Sequence, residues 1–180
     1  MDTFQPLTRI RQAYQQLEAH KKRRYRTIGF TSAAVAATAA VGSVATDTSS
    51  AWYKTLHKPA IQPPGWVFPL AWTALYIDIA TVVGQSLADL EEQERVAEAS
   101  RLRRALATNL VLNAGWSALF FQVKKSGTAT IEAAALAGSS ADLVRKTMAV
   151  DSRRGAVLLP YAAWTAFATV LTGTIWYQNR

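Results

Sequence analysis

Residues 52–76 read WYKTLHKPAIQPPGWVFPLAWTALY, and this stretch decides the fold. Its first half carries three prolines, which a continuous helix cannot accommodate. Its second half becomes largely apolar after Trp66, and the apolar run lasts for about twenty residues, the length at which a helix crosses about 30 Å of hydrocarbon. The stretch therefore predicts a structured linker, with Trp52, Tyr53 and Trp66 at interface depth, that leads into a membrane-spanning helix.

On both sides of this stretch, charged residues occur in short blocks with apolar runs between them. Half of the 180 residues are hydrophobic and 18% are charged, and a soluble domain would mix the two classes along amphipathic elements. The pattern predicts an all-α integral membrane protein. We expect a bundle of five spans at residues 28–46, 67–88, 105–123, 128–144 and 155–177. The fourth span is the weakest, because it carries Glu132 and Asp142.

The basic residues predict an orientation for the bundle. Fifteen of the 20 Lys and Arg residues fall in the N-terminal segment, near residue 95 and near residue 150, and the other five fall at the alternate ends of the spans. The positive-inside rule then places the N-terminus in the cytoplasm and the C-terminus outside, in a bacterial-type cell membrane. Residues 1–27 form a basic extension ahead of the membrane domain of residues 28–180. The extension is either helical on anionic headgroups or a disordered tail.

Composition excludes several kinds of site. The chain has no cysteine and only two histidines, His20 in the basic extension and His57 in the linker, so we expect no disulfide, no metal site and no nucleophilic triad. No glycine-rich phosphate loop is present. The net charge of +8 is spread over the flanks of the spans, as in membrane proteins, and it does not predict nucleic-acid binding.

Three of the six tryptophans lie deep within predicted spans, whereas Trp52, Trp66 and Trp176 lie near span ends, where interfacial anchoring explains them. Each deep tryptophan shares a helix face with other side chains. The three faces are Trp72 with Tyr76, Asn109 and Asn113 with Trp116, and Tyr161 with Trp164 and Ala168. Amides within hydrocarbon need partners, so Asn109 and Asn113 should face the bundle interior, which turns Trp116 inward too. The three faces either pack the helices together, with the asparagines as links between helices, or line a cavity suited to a large flat ligand.

Two acidic residues lie within the predicted spans, where a charge is costly. Asp78 follows Tyr76 by two positions, about 200° around the helix, so we expect it to face a neighbouring helix and not the Tyr76 face. Glu132 lies about one turn inside its span, within reach of the interface. A proton-relay role for this pair remains open.

Four motifs resemble the translocator-protein family, also called the tryptophan-rich sensory protein or TspO/MBR family. The resemblance covers about residues 51–179. The motifs are Trp52-Tyr53-x-x-Leu56-x-Lys58-Pro59-x-x-x-Pro63-Pro64-x-Trp66-x-Phe68, Trp72-x-x-Leu75-Tyr76, Leu112-Asn113-x-x-Trp116-x-x-Leu119-Phe120-Phe121 and Leu159-Pro160-Tyr161-x-x-Trp164-x-x-Phe167-Ala168-x-x-Leu171.

The resemblance implies five transmembrane helices around a pocket that the first linker closes. It implies a receptor or carrier with a regulatory, stress-sensing role, which binds porphyrins such as protoporphyrin IX or haem, or sterol-like molecules, and requires no cofactor. It also implies a homodimer, for which the small residues Ala33 and Ala37 offer one helix face. The implied pocket residues are Trp66, Trp72, Tyr76, Asn109, Asn113, Trp116, Tyr161, Trp164 and Ala168.

Two alternatives to a receptor or carrier stay open. Some bacterial members of the family promote light-dependent breakdown of protoporphyrin, and by resemblance Trp72 and Trp164 are the candidate residues for that chemistry. The other alternative is a regulatory membrane scaffold. The sequence also departs from the family pattern. Pro69-Leu70 replaces a small residue and proline, Thr172 replaces an asparagine, and no aromatic residue stands at 127–129.

Overall fold

The computed structural model describes the backbone of residues 5–180 and the side chains of residue 11 and residues 15–180. The regular secondary structure in this part of the chain is all helical, with five long helices, two short ones and no strand. The elements are α1 (Gln5–Ala45), α2 (Ala51–Thr55), α3 (Val67–Glu92), α4 (Val96–Ser117), which continues into a π-helical turn (Ala118–Gln122), α5 (Ser126–Met148), α6 (Ser152–Val157) and α7 (Leu159–Gln178).

Three segments are long and apolar enough to cross a membrane by themselves. They are Gln15–Ala45 in α1, Val67–Glu92, and Ser152–Gln178, which comprises α6 and α7. The other two long helices, α4 and α5, carry more charge near their ends. They pack against each other, and in addition α4 packs against α1 and α5 packs against α7. The five long helices form the predicted all-α five-helix bundle.

Helix bounds differ most from the predicted spans at α1 and at α4, which begins at Val96 and not at residue 105, and the last predicted span is divided into two helices. Helix α1 begins at Gln5 and runs without interruption to Ala45, so the described part of the basic extension is helical. Helices α6 and α7 are separated at Leu158. Pro160 explains this break, because proline has no N–H to donate and its ring clashes with the preceding turn. The described part of the extension, from Gln5 onward, therefore continues the first helix.

Two buried clusters divide the core along the bundle axis. Aliphatic side chains such as Ile79, Val83 and Leu102 dominate the first, between α1, α3 and α4. Phe120 and Phe121 form the centre of the second, which packs against the linker residues Trp52, Tyr53 and Leu56. Large apolar side chains also remain on the outer surface, such as Val44, Val111 and Ile131, which are 85%, 72% and 75% exposed. An apolar outer surface suits contact with lipid.

The end of the bundle that carries the three basic segments is called here the basic end. There Arg24 of α1 donates to Asp89 of α3 at 2.6 Å and to Glu92 at 3.3 Å. Arg154 of α6 donates to the other oxygen of Asp89, and Arg103 of α4 donates to Glu91. These ion pairs join four helices, and they bring together the three basic segments that the charge count places on one side of the membrane.

The opposite end, called here the linker end, is held by the segment between α1 and α3. The backbone N–H of His57 donates to Asn179 Oδ1 at 2.8 Å, and Asn179 Nδ2 donates to the His57 carbonyl at 3.0 Å. Trp52 packs on Phe120 with ring centroids 5.4 Å apart. The linker therefore closes over the aromatic cluster through a few specific contacts.

Candidate functional site

All three predicted faces contribute to one chain of hydrogen bonds across four helices. Tyr76 of α3 donates to Asn113 Oδ1 at 2.6 Å, and Asn113 Nδ2 donates to the Tyr161 hydroxyl at 3.2 Å. Tyr161 of α7 donates to Asn109 Oδ1 at 2.7 Å, and Asn109 Nδ2 donates to Ser140 of α5 at 3.1 Å. Each member thus has a partner, which is the condition for placing amides in a low-dielectric interior. This series is called below the polar chain.

The three deep tryptophans converge on a small cavity next to the polar chain. Its volume is about 30 Å³, which is room for about one water molecule. We call it the Trp cavity. Besides Trp72, Trp116 and Trp164, its lining consists of Phe68, Ala133, Leu136, Thr165, Phe167, Ala168, Leu171 and Thr172. A porphyrin does not fit a space of this size, so binding one requires the lining side chains to move apart.

The aromatic rings around the Trp cavity touch edge to face or stack. Trp72 and Trp164 are perpendicular, with centroids 6.5 Å apart, and Phe68 stands edge-on to Trp164 at 5.9 Å. Trp116 stacks on Phe120 at 5.3 Å with an interplanar angle of 14°. Such contacts contribute about 0.5–1.5 kcal/mol each beyond area burial. The closed cavity is therefore a stable arrangement, and a flat ligand has to replace these contacts with its own.

Buried polar atoms without partners lie at and beside the Trp cavity. The indole Nε1 of Trp116 and that of Trp164 make no hydrogen bond to any described residue, nor do the two carboxylate oxygens of Glu132. A Cβ built on Gly115 of α4 would lie 3.7 Å from Glu132 Oε1, which places this carboxylate at the contact of α4 and α5. An unpaired buried donor or acceptor costs about 1–3 kcal/mol, and native proteins contain few of them.

Glu132 and Asp78, the two acidic residues within the predicted spans, differ in burial and in position. Glu132 does not reach the interface, because its carboxylate oxygens are buried between helices. Asp78 is only partly buried. Within residues 15–180 it makes no hydrogen bond or ion pair, and it belongs neither to the polar chain nor to the Trp cavity lining. The geometry does not join the two acids into a relay.

The part of the chain that the structure describes holds no group of three His, Cys, Asp or Glu side chains close enough to bind a metal.

The fold and these motifs agree with comparison to known proteins, in which a model of the TspO/MBR family matches residues 30–177. The chain belongs to this family. The family is a five-transmembrane-helix bundle, so the five long helices are the membrane spans of an integral membrane protein, including the less apolar α4 and α5.

Named relatives of the chain come from bacteria and animals. The chain is 32% identical over 139 residues to the tryptophan-rich protein TspO of Chlorobaculum tepidum, an alignment that covers 77% of this chain and 86% of the relative. It is 35% identical over 123 residues to the tryptophan-rich sensory protein of Cereibacter sphaeroides, with 67% and 72% covered. It is 32% identical over 130 residues to the human translocator protein, with 72% and 75% covered.

The family resemblance predicts nine pocket residues, and the structure distributes them over three places. Trp72, Trp116, Trp164 and Ala168 line the Trp cavity. The other four inward residues form the polar chain described above. Trp66 lies in neither place, because it stands in the linker with 68% of its surface exposed.

Some lining residues of the Trp cavity escape the sequence prediction. Phe68 and Phe167 belong to the family motifs but look like ordinary core residues. Ala133 and Leu136 of α5 carry only a helical apolar spacing as a signal. Thr172, which stands in place of the family's asparagine, donates its hydroxyl to the Ala168 carbonyl at 2.8 Å, so it adds no free polar group to the cavity.

At the start of α5, where the family's aromatic residue is missing, the indole of Trp176 packs against the backbone. A Cβ built on Gly127 would lie 2.9 Å from Trp176 Nε1, so the indole of Trp176 packs directly against the backbone of this turn. A side chain at position 127 would have to displace Trp176. The absence of an aromatic residue here therefore goes together with the position of the last tryptophan.

Proposed function

We propose that this TspO/MBR member is a membrane receptor or carrier that binds a porphyrin, or a similar flat apolar molecule, in the Trp cavity. The observation that carries the proposal is the convergence of Trp72, Trp116 and Trp164 from three different helices on one cavity. Aromatic faces in a water-poor interior suit a large flat heterocycle, which gains from stacking and from burial.

Unpaired polar atoms support a ligand that is apolar in its body and polar at its edge. Trp116 Nε1 and Trp164 Nε1 are buried donors without acceptors in the described structure. The propionate groups of protoporphyrin IX or haem offer such acceptors, and a sterol-like molecule offers at most a hydroxyl or carbonyl oxygen. We therefore favour a porphyrin over a sterol as the ligand.

Entry of the ligand requires the closed cavity to open, and in this proposal the opening lies at the linker end. Phe68 lies two residues after the linker Trp66 and packs on Trp164. The pair of hydrogen bonds between His57 and Asn179 joins the linker to the end of α7. Movement of the linker would carry Phe68 away from Trp164 and enlarge the space between the rings. In this proposal a regulatory, stress-sensing response follows from linker opening on binding.

A light-dependent porphyrin-degrading enzyme is the second candidate. The perpendicular contact of Trp72 and Trp164 at 6.5 Å favours it, because two adjacent indoles beside an excited macrocycle are oxidisable.

A homodimer is a further expectation: Ala33 and Ala37 are exposed on α1, where small residues allow close helix approach.

Titration of the detergent-purified full chain with protoporphyrin IX in the dark tests the site. Saturable quenching of Trp fluorescence and a shifted porphyrin absorption band are expected for the wild type. In Trp72→Phe plus Trp164→Phe, we expect affinity to fall at least about tenfold, since each phenyl ring stacks over a smaller area than an indole and has no N–H to donate to the ligand, and a hydrogen bond contributes about 0.5–1.5 kcal/mol. Trp66→Phe is the matched control, because Trp66 is exposed and outside the cavity, and its affinity should stay within about twofold.

Illumination of the same samples separates the two candidates. Bleaching of bound porphyrin faster than that of free porphyrin, and lost in the Trp72 and Trp164 variant, would support the enzyme. Equal rates would support the receptor or carrier. Absence of saturable binding in the wild type would contradict both and leave the regulatory scaffold as the remaining function.

A further inference from the structure

A second concave site lies at the basic end, between the start of α4 and the second half of α5. Its volume is about 560 Å³, and it shares no lining residue with the Trp cavity. Four cationic side chains line it against a single carboxylate. They are Arg101 and Arg104 on α4, and Arg145 and Lys146 on α5 beside Asp142. We call it the α4–α5 groove.

Charge in the α4–α5 groove is only partly balanced. Asp142 accepts hydrogen bonds from both cations of its own helix, from Arg145 at 2.7 Å and from Lys146. Arg101 and Arg104 form no ion pair with any carboxylate in the described structure. Elsewhere at the basic end, Arg24, Arg103 and Arg154 are each paired with an acid from another helix. The groove is therefore a place where like charges gather, and a bound anion would relieve their repulsion.

The depth of the α4–α5 groove in the membrane indicates which kind of anion it would bind. Arg104 directly precedes the predicted span 105–123, and Arg145 directly follows the span 128–144, so these guanidinium groups lie where phospholipid headgroups lie. Thr108 and Ser139, each with a hydroxyl, line the groove further into the membrane, about one turn from Arg104 and nearly two turns from Arg145. Guanidinium groups match the geometry of phosphate oxygens through paired N–H donors.

The helix faces below the α4–α5 groove change from charged to polar to apolar. On α4, Arg104 is followed at helical spacing by Thr108 and then by Val111, which is 72% exposed. On α5, Ser139 is preceded at the same kind of spacing by Ala135 and then by Ile131, which is 75% exposed. Residues three and four apart share one face. The sequence of cation, hydroxyl and outward apolar side chain matches the order of phosphate, glycerol and acyl chain in a phospholipid.

We propose that the α4–α5 groove binds the phosphate headgroup of an anionic phospholipid from the leaflet at the basic end. Arg101 and Arg104 hold the phosphate, and Thr108 and Ser139 lie at the level of the glycerol. Basic pockets between transmembrane helices recognise anionic headgroups in this way. The bound lipid bridges α4 and α5, the two least apolar of the five spans. This proposal does not depend on what the Trp cavity binds.

Native mass spectrometry of the full chain in a mild detergent tests this site. Phosphatidylglycerol and phosphatidylcholine with identical acyl chains are titrated separately, and the affinity for the first lipid bound is measured. The wild type should bind phosphatidylglycerol preferentially. Arg101→Gln plus Arg104→Gln should weaken that binding about twenty-five-fold, since each cation near an anionic lipid contributes a factor of about five.

Two further variants protect the test against trivial explanations. Arg23→Gln plus Arg26→Gln removes the same charge from exposed positions of α1 at the same end of the bundle, and phosphatidylglycerol affinity should stay within about twofold. Asp142→Asn frees Arg145 and Lys146, so it should strengthen binding about fivefold, a direction that a misfolded variant would not give.

Three results would overturn the proposal. Equal weakening in the two double variants would indicate diffuse attraction to the basic end. Weaker binding in Asp142→Asn would contradict the role of the groove cations. Displacement of the lipid by an excess of glycerol 3-phosphate or inorganic phosphate would show that the groove takes a soluble phosphate and not a lipid.

Discussion

The polar chain and the Trp cavity lie side by side, and they differ in whether their polar atoms are hydrogen-bonded. In the polar chain, Tyr76, Asn113, Tyr161 and Asn109 satisfy one another, and the chain ends on Ser140. At the cavity, two indole N–H groups have no acceptor among the described residues. Satisfied groups rigidify a core, whereas unsatisfied ones are expected where a ligand or water completes the structure. The difference separates residues that link the helices from residues whose N–H groups, in the proposed function, are available to a ligand.

The largest effect is expected from filling the Trp cavity. Ala168→Phe adds a ring where only about 30 Å³ is free, so it should reduce protoporphyrin IX affinity about a hundredfold or more and cost about 1–3 kcal/mol of stability by overpacking. Val170→Phe is the matched control, since Val170 lies on the same helix, 58% exposed on the outer surface. Dark titration by porphyrin absorbance measures both. Unchanged affinity in Ala168→Phe would place the ligand outside this cavity.

A smaller effect, on stability and not on binding, is expected from breaking the polar chain. Asn109 is fully buried, and Asn109→Ala leaves the Tyr161 hydroxyl without its acceptor, at a cost of about 1–3 kcal/mol. Thermal unfolding followed by helical circular dichroism in detergent measures this loss. Ser139→Ala is the control, because Ser139 accepts only a long contact of 3.4 Å from Asn109, and it should cost less than about 0.5 kcal/mol.

Porphyrin affinity of Asn109→Ala and Ser139→Ala, measured below the unfolding temperature, tests whether the polar chain and the Trp cavity have separate roles. Asn109→Ala should then bind within about twofold of the wild type, because Asn109 does not line the Trp cavity. A loss of affinity as large as that of the Trp72 and Trp164 variant would show that the polar chain and the Trp cavity act as one site, as the family resemblance implies.

The fold follows from the sequence more completely than the site does. Hydropathy and blocks of charge predict five helices, because the membrane imposes a length and a polarity on each span. The helical state of the basic extension does not follow, since a polar segment is stable as a helix or as a tail. In the structure Arg24 of this helix pairs with Asp89 of α3, a contact between residues far apart in the chain that local sequence does not reveal.

Depth in a span predicts which tryptophans line the Trp cavity, while a role in ligand binding stays a prediction. Trp72 and Trp164 are predicted in this way. Trp66 is not, because an interfacial tryptophan and a pocket tryptophan give the same signal in a linker, and in the structure it is exposed. Asn113 had to face inward, but its partners on α3 and α7 depend on how the helices are rotated, which a single sequence does not encode locally. Leu136 has no signal beyond its apolar spacing.

The smallest predicted effect concerns Glu132. It tests the comparison of hydrogen-bonded and unpaired polar groups directly, because its two oxygens are buried without a partner among the described residues. Burial of an unpaired polar group costs stability, so replacing it by an apolar side chain of similar volume should be favourable. We expect Glu132→Met to raise the free energy of unfolding by about 1 kcal/mol, seen as a higher midpoint in thermal unfolding. Destabilisation would indicate that a water or cation satisfies Glu132 and that the carboxylate belongs with the polar chain. If porphyrin affinity falls while stability rises, Glu132 belongs with the unpaired indoles, as a group that the protein keeps at a cost in stability for binding.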